Sequence, residues 1–399
     1  MGGSAFSSGE RINAVTSKLT TLAILSFLSS FAFGGPSFFL DCAHAKTRPL
    51  VQKKGNNKIQ VAILLDTSSS MSGLINQTRA ELWSLVNELA ATERNGAPPE
   101  LSIALYEYGK PSLGANTGFV KQLAPLTNDL DAVSEALFAL HTNGGSEYAG
   151  HVIQDAVKNL AWDKDDASLK MVFIAGNESF SQGPTDFREA ISDAAEKGIV
   201  VNTIYCGNEG SEEYAGWQEG ARLARGKTMS IDHNAVVQHI ASPHDAEIAR
   251  LSQELNSTYI AYGRGGNEKK ARQVKQDKNV ANDMRMSVGR AKSKVSGQYR
   301  NSSWDLVDAA SEGADIGEME EDALPAEMQG MSKSARRDHV AKTAKKRKAL
   351  ARKLRTLTEK RERFVAKTRK AAPASAPTLK EGLMKVATEQ AEAKGYKKK

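Results

Sequence analysis

Between Lys58 and Gly263, short and nearly continuous apolar runs alternate with stretches whose apolar residues recur every three or four positions. The runs are Ile59 to Leu65, Leu101 to Tyr106, Leu169 to Ala175 and Ile199 to Tyr205, each of strand length. Runs with so little polar alternation suit strands buried on both faces, as in the middle of a parallel sheet. Between the first two, Leu82, Leu85, Val86 and Leu89 fall at i, i+3, i+4 and i+7 and line one side of a helix. Val152, Ile153, Ala156, Val157 and Leu160 predict a second helix, and Phe187, Ala190, Ile191 and Ala194 a third. Strands and helices in alternation predict an α/β fold, a doubly wound and mainly parallel sheet with helices on both faces. Such sheets bind ligands beyond the carboxyl ends of their strands.

At one such end stands Asp66-Thr67-Ser68-Ser69-Ser70. The carboxylate of Asp66 and the hydroxyls of Ser68 and Ser70 alternate along the exit of a buried strand, so they can converge on one cation. Oxygen donors suit hard divalent ions, namely magnesium, manganese or calcium. Alone, such a cluster is also what a turn or helix cap looks like. The apolar strand before it and the amphipathic helix after it favour the metal reading.

Strand, Asp-x-Ser-x-Ser, then amphipathic helix resembles the von Willebrand factor type A domain with its metal-ion-dependent adhesion site. The resemblance implies that a Thr from a second loop and an Asp from a third join the first three ligands. It also implies that a carboxylate of a protein partner fills the cation's open position. Asp66, Ser68 and Ser70 match the first loop. Asn143-Gly144-Gly145-Ser146 is the corresponding second loop, with Ser146 where the family often has Thr. The third loop departs from the pattern. After Met171-Val172-Phe173-Ile174 the family's Thr-Asp-Gly is replaced by Ala175-Gly176-Asn177-Glu178, which puts Gly176 where the Asp should be. Asn177 or Glu178 is then the candidate to reach the metal or its water shell, and Glu178 is taken as the ligand. Further stretches, Gly176 to Pro184 and Asn256 to Gly263, are similar to segments of exported bacterial proteins with this domain, a resemblance that brings no activity with it. Tyr259, Ile260 and Tyr262 read as a last strand or packing segment.

Composition changes on both sides of the domain. Arg11 and Lys18 precede an apolar stretch from Leu19 to Leu40, and Ala43-His44-Ala45 offers small-x-small for cleavage. Residues 1–45 therefore read as a signal peptide or an uncleaved N-terminal anchor, 46–57 as a linker and 58–263 as the domain. Export places the protein in the periplasm or cell envelope. Cleavage would leave Cys206 alone, a small core residue at a strand end that has no cysteine to pair with.

The net charge of +7 hides a division at Gly263: residues 1–263 carry a net −9 and residues 264–399 a net +16. With few large apolar residues, 264–332 reads as a hinge and acidic linker and 333–399 as a basic helical tail. From Asp305 to Glu327 there are nine acidic residues and no basic one; from Lys333 to Lys370 there are 17 basic and three acidic. Patches of opposite sign invite pairing, within the chain or between copies. Leu350, Leu354, Leu357 and Phe364 make a short heptad seam with Arg361 in the missing apolar slot, which leaves open a coiled coil or a single solvated helix. Outside the inner membrane such a helix suits anionic lipid, acidic polymer, an acidic protein or its own domain, and makes nucleic acid an unlikely partner.

Nothing in the motif inventory points to catalysis. There is no Gly-x-Ser-x-Gly, no phosphate-binding Gly-Lys-Ser loop, no compact histidine spacing, and no base accompanies Ser68 or Ser70. The expectation is an exported, non-enzymatic protein that captures a partner through Mg2+, or Mn2+ or Ca2+, with the tail serving assembly or attachment to the envelope. The alternative is a structural or scaffold protein with a vestigial metal site, bound to anionic envelope components through its tail.

Overall fold

Each of the four apolar runs expected to be a strand is one. A computed structural model describes residues 57–232, 240–370 and 379–398. The elements, in order, are β1 (Lys58–Asp66), α1 (Ser72–Ala90), β2 (Thr92–Glu93), β3 (Glu100–Tyr108), β4 (Val120–Thr127), α2 (Leu130–Phe138), α3 (Ala149–Asn159), β5 (Leu169–Gly176), α4 (Phe187–Glu196), β6 (Ile199–Tyr205), α5 (Tyr214–Leu223) and β7 (Thr228–Ser230). Then come α6 (Asp245–Asn256), α7 (Gly266–Val280), α8 (Met284–Lys294), α9 (Leu306–Ser311), α10 (Lys333–Lys370), α11 (Leu379–Ala393) and β8 (Lys397–Lys398).

Six strands form one sheet in the order β4-β3-β1-β5-β6-β7, parallel except for β4, which runs antiparallel at the edge. Edge strand β4 was not expected. Its Pro125 and exposed polar residues break the apolar run, both of which an edge tolerates. Successive side chains of β1 point to opposite faces, so Val61, Ile63 and Leu65 enter one core and Ala62 and Leu64 the other. On the second face α3, α4 and α5 bury Val152, Ile153, Phe187, Ile191 and Trp217. The three predicted helical stripes are all buried. Cys206 is a buried free thiol at the end of β6, pushed up from its ordinary value by burial.

The first face departs from the sequence reading. Residues 264–332, expected to be hinge and acidic linker, contain α7, α8 and α9, and Val288, Ala291, Val295, Tyr299 and Trp304 lie in the same core as β1 and α1. These helices escaped notice because much of what they bury is small or polar: Gln273, Gln276, Arg290, Ser293 and Lys294 are all buried. Arg290 is held by Asp131 at 2.7 Å, by Asp277, by the carbonyl of Gln273, and under the ring of Trp83. The glycine hinge is the start of α7, where Gly265 takes φ +83°.

The basic tail is likewise not free. Helix α10 lays Leu350, Leu354 and Leu357 of its seam on the domain's own core, while Phe364, the last seam residue, is exposed. Arg361, the polar residue in the apolar slot, pairs with Asp245 at 2.6 Å. Arg347 joins Asp305 and Asp308, and Arg337 joins Asp315, so the acidic and basic stretches do pair within the chain. Helix α11 then covers α1 with Leu379, Leu383, Val386, Ala387 and Ala391, and β8 closes on β2. Ile260 and Tyr262 bond to the backbone beside α9, a packing segment with a single bridge, Ala261 to Asp305.

Among the described residues no helix is long and apolar enough to cross a membrane. The stretch read as signal or anchor, nearly all of the linker before β1, and the spacer 371–377 lie outside the described residues.

Candidate metal centre

Asp66 ends β1 with its side chain fully buried between β3 and β5. Its Oδ1 accepts a 2.7 Å hydrogen bond from the Ser68 amide, the ordinary Asx-type closure of a tight turn. Its Oδ2 is buried and has no hydrogen-bond partner. Thr67 fixes the turn from the other side, donating both its amide and its hydroxyl to the Tyr108 carbonyl at 2.8 and 2.9 Å. Ser68 is buried, Ser70 is exposed at the entry to α1, and their hydroxyls stand 3.4 Å apart.

The second loop is bound directly to the first. Thr67 accepts from the Asn143 amide at 3.0 Å and Ser69 donates to the Gly144 carbonyl at 2.8 Å. Ser146 anchors through its amide to the Gly109 carbonyl at 3.2 Å; among the described residues its hydroxyl bonds to none of Asp66, Ser68 and Ser70. The next residue, Glu147, is the one whose side chain reaches the site. It is buried, its amide donates to Gln182 Oε1, and the Ser68 side chain hydrogen-bonds to it. Glycine permits this meeting: a Cβ at Gly109, where φ is +93°, would lie 2.7 Å from Asp66 Oδ1 and 3.3 Å from Glu147 Cγ.

The third loop supplies less than the sequence comparison asked of it. A Cβ at Gly176 would sit 2.6 Å from the Tyr108 hydroxyl, 3.0 Å from the Trp217 ring and 3.2 Å from Asp66 Oδ2. That hydroxyl donates to the Ala175 carbonyl at 3.0 Å, and burial first, then the charge of Asp66, raises its pKa well above the ordinary value. The position is therefore beside the site, and a side chain there would have to displace the Tyr108 hydroxyl and crowd the Trp217 ring. Glu178 is exposed, its backbone carbonyl held by Trp217 Nε1 at 2.8 Å, and its charge acts on both Asp66 and Glu147. Asn177 leaves a buried Oδ1 without a partner.

Burial pushes the Asp66 carboxyl up to about 7, against the hydrogen bonds from Ser68 and with help from the charges of Glu147 and Glu178. Glu147 is raised by its own burial and by Glu178. Asp66 and Glu147 thus feel each other's charge and that of Glu178 at the rim, and among the described residues no lysine or arginine pairs with them. An unpartnered buried carboxylate oxygen, two hydroxyls and adjacent carboxylates fit a hard divalent cation. Among the described residues no three His, Cys, Asp or Glu side chains group closely enough to hold an ion by themselves, so the serine hydroxyls have to complete the set. His141 and His151 stand off: Lys110 binds the backbone of the first, and Thr185 the ring of the second.

Of the five residues singled out from sequence, Asp66, Ser68 and Ser70 come together, Glu178 lies at the exposed rim, and Ser146 is present through its backbone. Glu147 and the closing pair Tyr108 and Gly109 were missed. Glu147 could have been found as the carboxylate that ends the second loop.

Residues 60–222 match the family profile of the von Willebrand factor type A domain. Among solved structures, proximal thread matrix protein 1 from the mussel byssus is 12% identical, with a TM-score of 0.34 over 44% of this chain and 41% of its own. Another structure of that protein has a zinc-occupied metal-ion-dependent adhesion motif. The SpRpn10 domain of the same type is 15% identical, with a TM-score of 0.34 over 45% of this chain and 100% of its own. An aerotolerance-related membrane protein from Bacteroides fragilis is 17% identical, with a TM-score of 0.30 over 44% of this chain and 93% of its own. The match to the mussel protein spans less than half of that protein's length. The search of curated proteins found no match.

Proposed function

Because residues 60–222 form a von Willebrand factor type A domain, we propose that this protein is an exported, non-enzymatic binding module that holds an acidic group of a protein partner through a divalent cation. The observation that carries the proposal is Asp66 Oδ2, buried and without a hydrogen-bond partner at the head of the turn that also carries the Ser68 and Ser70 hydroxyls. Burying a carboxylate oxygen without a partner is costly, and a cation removes that cost. Magnesium is the expected ion, since it keeps several waters and takes few protein ligands, which leaves a position for a partner's carboxylate. Manganese and calcium suit the same donors. The residues read as signal or anchor support a place in the periplasm or cell envelope.

The packing of α10 alters what its charges can do. Its inner cations are spent on the domain, while Lys342, Lys345, Arg352, Lys360, Arg363 and Lys367 are exposed along its outer side. That outer stripe supports attachment to an anionic envelope surface, and it is also what favours the second reading, a scaffold whose metal site is vestigial.

The test is capture of an envelope partner by residues 46–399 in the presence and absence of a chelator, beside Asp66→Ala. Capture that is lost with chelator and lost in the variant is the expected result. Capture indifferent to both would sink the metal reading and leave the outer stripe of α10.

A further inference from the structure

We infer that Glu147 is a carboxylate ligand of the cation, supplying from the second loop the negative charge that position 176 cannot carry. The inference rests on the metal reading above and adds a ligand to it. Its first support is the closure of the third loop. With the Tyr108 hydroxyl 2.6 Å and the Trp217 ring 3.0 Å from any Cβ at Gly176, an acidic side chain would have to displace both. A charge must then come from another loop, or the site holds its ion through Asp66 alone.

The second support is the position of Glu147. Its side chain shares with Asp66 the bare backbone at Gly109, and a Cβ at Gly145 would lie 2.7 Å from its Oε1. Two glycines therefore leave the space that this one carboxylate fills. Ser68, the first serine of the motif, closes on Asp66 through its amide and hydrogen-bonds to Glu147 as well, so it links both carboxylates. Gln182 Oε1 accepts from the Glu147 amide at 2.5 Å, which fixes where the residue leaves the loop.

The third support is the lack of protein partners for these two carboxylates. Asp66 Oδ2 is fully buried and unpartnered, so something outside the protein's own hydrogen bonding belongs beside it. Glu147 is buried too, and among the described residues no lysine or arginine neutralises it; the nearby Lys110 is engaged by Glu107 at 2.5 Å and by the His141 carbonyl. Two buried carboxylates with no cationic side chain between them are stable only with a proton or a metal there. Ser146 offers no such arrangement, because its link to the site is its backbone amide. Glu178, exposed at the rim, is left to the water shell.

The experiment is calorimetric titration of Mg2+ and Mn2+ into residues 46–399 and into Glu147→Gln, Ser146→Ala and Asp66→Asn, with melting of each variant in chelator as the control for folding. Glu147→Gln keeps the shape and removes the charge, so it should melt no lower than the parent without metal. Its cation affinity should fall about tenfold or more, as expected when a site loses one charged ligand, while Ser146→Ala stays within about threefold. Parent-like binding by Glu147→Gln beside a loss in Asp66→Asn would overturn the role of Glu147 and leave the metal site standing. A parent that takes up neither ion would overturn both.

Discussion

Burial sets the behaviour of Asp66 when no cation is bound. Its carboxyl is held at about 7 against an ordinary 3.8, so between those values the native state keeps a proton that the unfolded chain has released. Stability must then fall as pH rises through that window, the reverse of the usual salt-bridged carboxylate. Melting in chelator should show a midpoint that declines from about pH 4 to about pH 7, and Asp66→Asn should flatten the slope. Added Mg2+ should restore the loss at neutral pH, because a ligand bound only by the native state stabilises it by mass action. The sequence disclosed this residue readily: an Asp at the end of a continuous apolar run, followed by two alternating hydroxyls. It did not disclose Glu147, because which of several loop residues turns inward depends on the glycines of neighbouring strands. Gly109 and Gly145 make the space; Gly145 is local to Glu147 and visible in the sequence, but the approach of Gly109 depends on the pairing of β3 with β1.

At the scale of elements, periodicity identified α1, α3 and α4 but passed over α2 and α6, whose aliphatic stripes of Leu130, Val133 and Leu137 and of Ile248, Leu251 and Leu255 are shorter, and over helices that bury polar residues. Helices α7 and α8 bury glutamines, a serine, a lysine and an arginine, residues that a hydropathy pattern places in solvent. For α10 the seam was visible and its partner was not, since two heptads of leucine fit a second copy as well as a domain 100 residues earlier in the chain. Arg361 now explains the gap in that seam: Asp245 stands opposite it at 2.6 Å. If the seam is a core element, Leu354→Ala should lower the unfolding free energy by about 2–5 kcal/mol without changing molecular mass in solution. An unchanged denaturation midpoint together with loss of an oligomer would instead mark the seam as an interface between copies.

The whole molecule is larger than the domain its sequence outlines. The sheet and α3 to α5 make one core complete, but the face of α1 stays open until α8, α10 and α11 close it. Removing residues 371–399 would expose Leu82 and Leu85 of α1, Ile63 and Leu65 of β1, and Phe173 of β5, all next to α11. Each fully buried aliphatic side chain contributes about 1.5–3 kcal/mol, so the shortened chain should unfold at markedly lower denaturant and bind a dye for exposed apolar surface. A truncation with the parent's midpoint would show that α11 is dispensable. The division of charge at Gly263 was legible as composition; its outcome, one half wrapped on the other through Arg347 and Arg337, depends on contacts distant in sequence.

The clasp that finishes the fold also sets how the molecule would bear a load. The Tyr396 hydroxyl donates to the Lys58 carbonyl at 3.2 Å, Arg94 lies over the Tyr396 ring, and β8 meets β2 through two residue pairs. The start of the central strand and the end of the chain are thus fastened at one pole, and the Asp66 loops lie at the far end of the same strand. A pull on Lys398 against Lys58 would load the Tyr396 hydrogen bond and the two β8–β2 pairs before the nine-pair register of β1 with β3. The C-terminal strap would act as a mechanical fuse, giving way while the loops around Asp66 kept their shape.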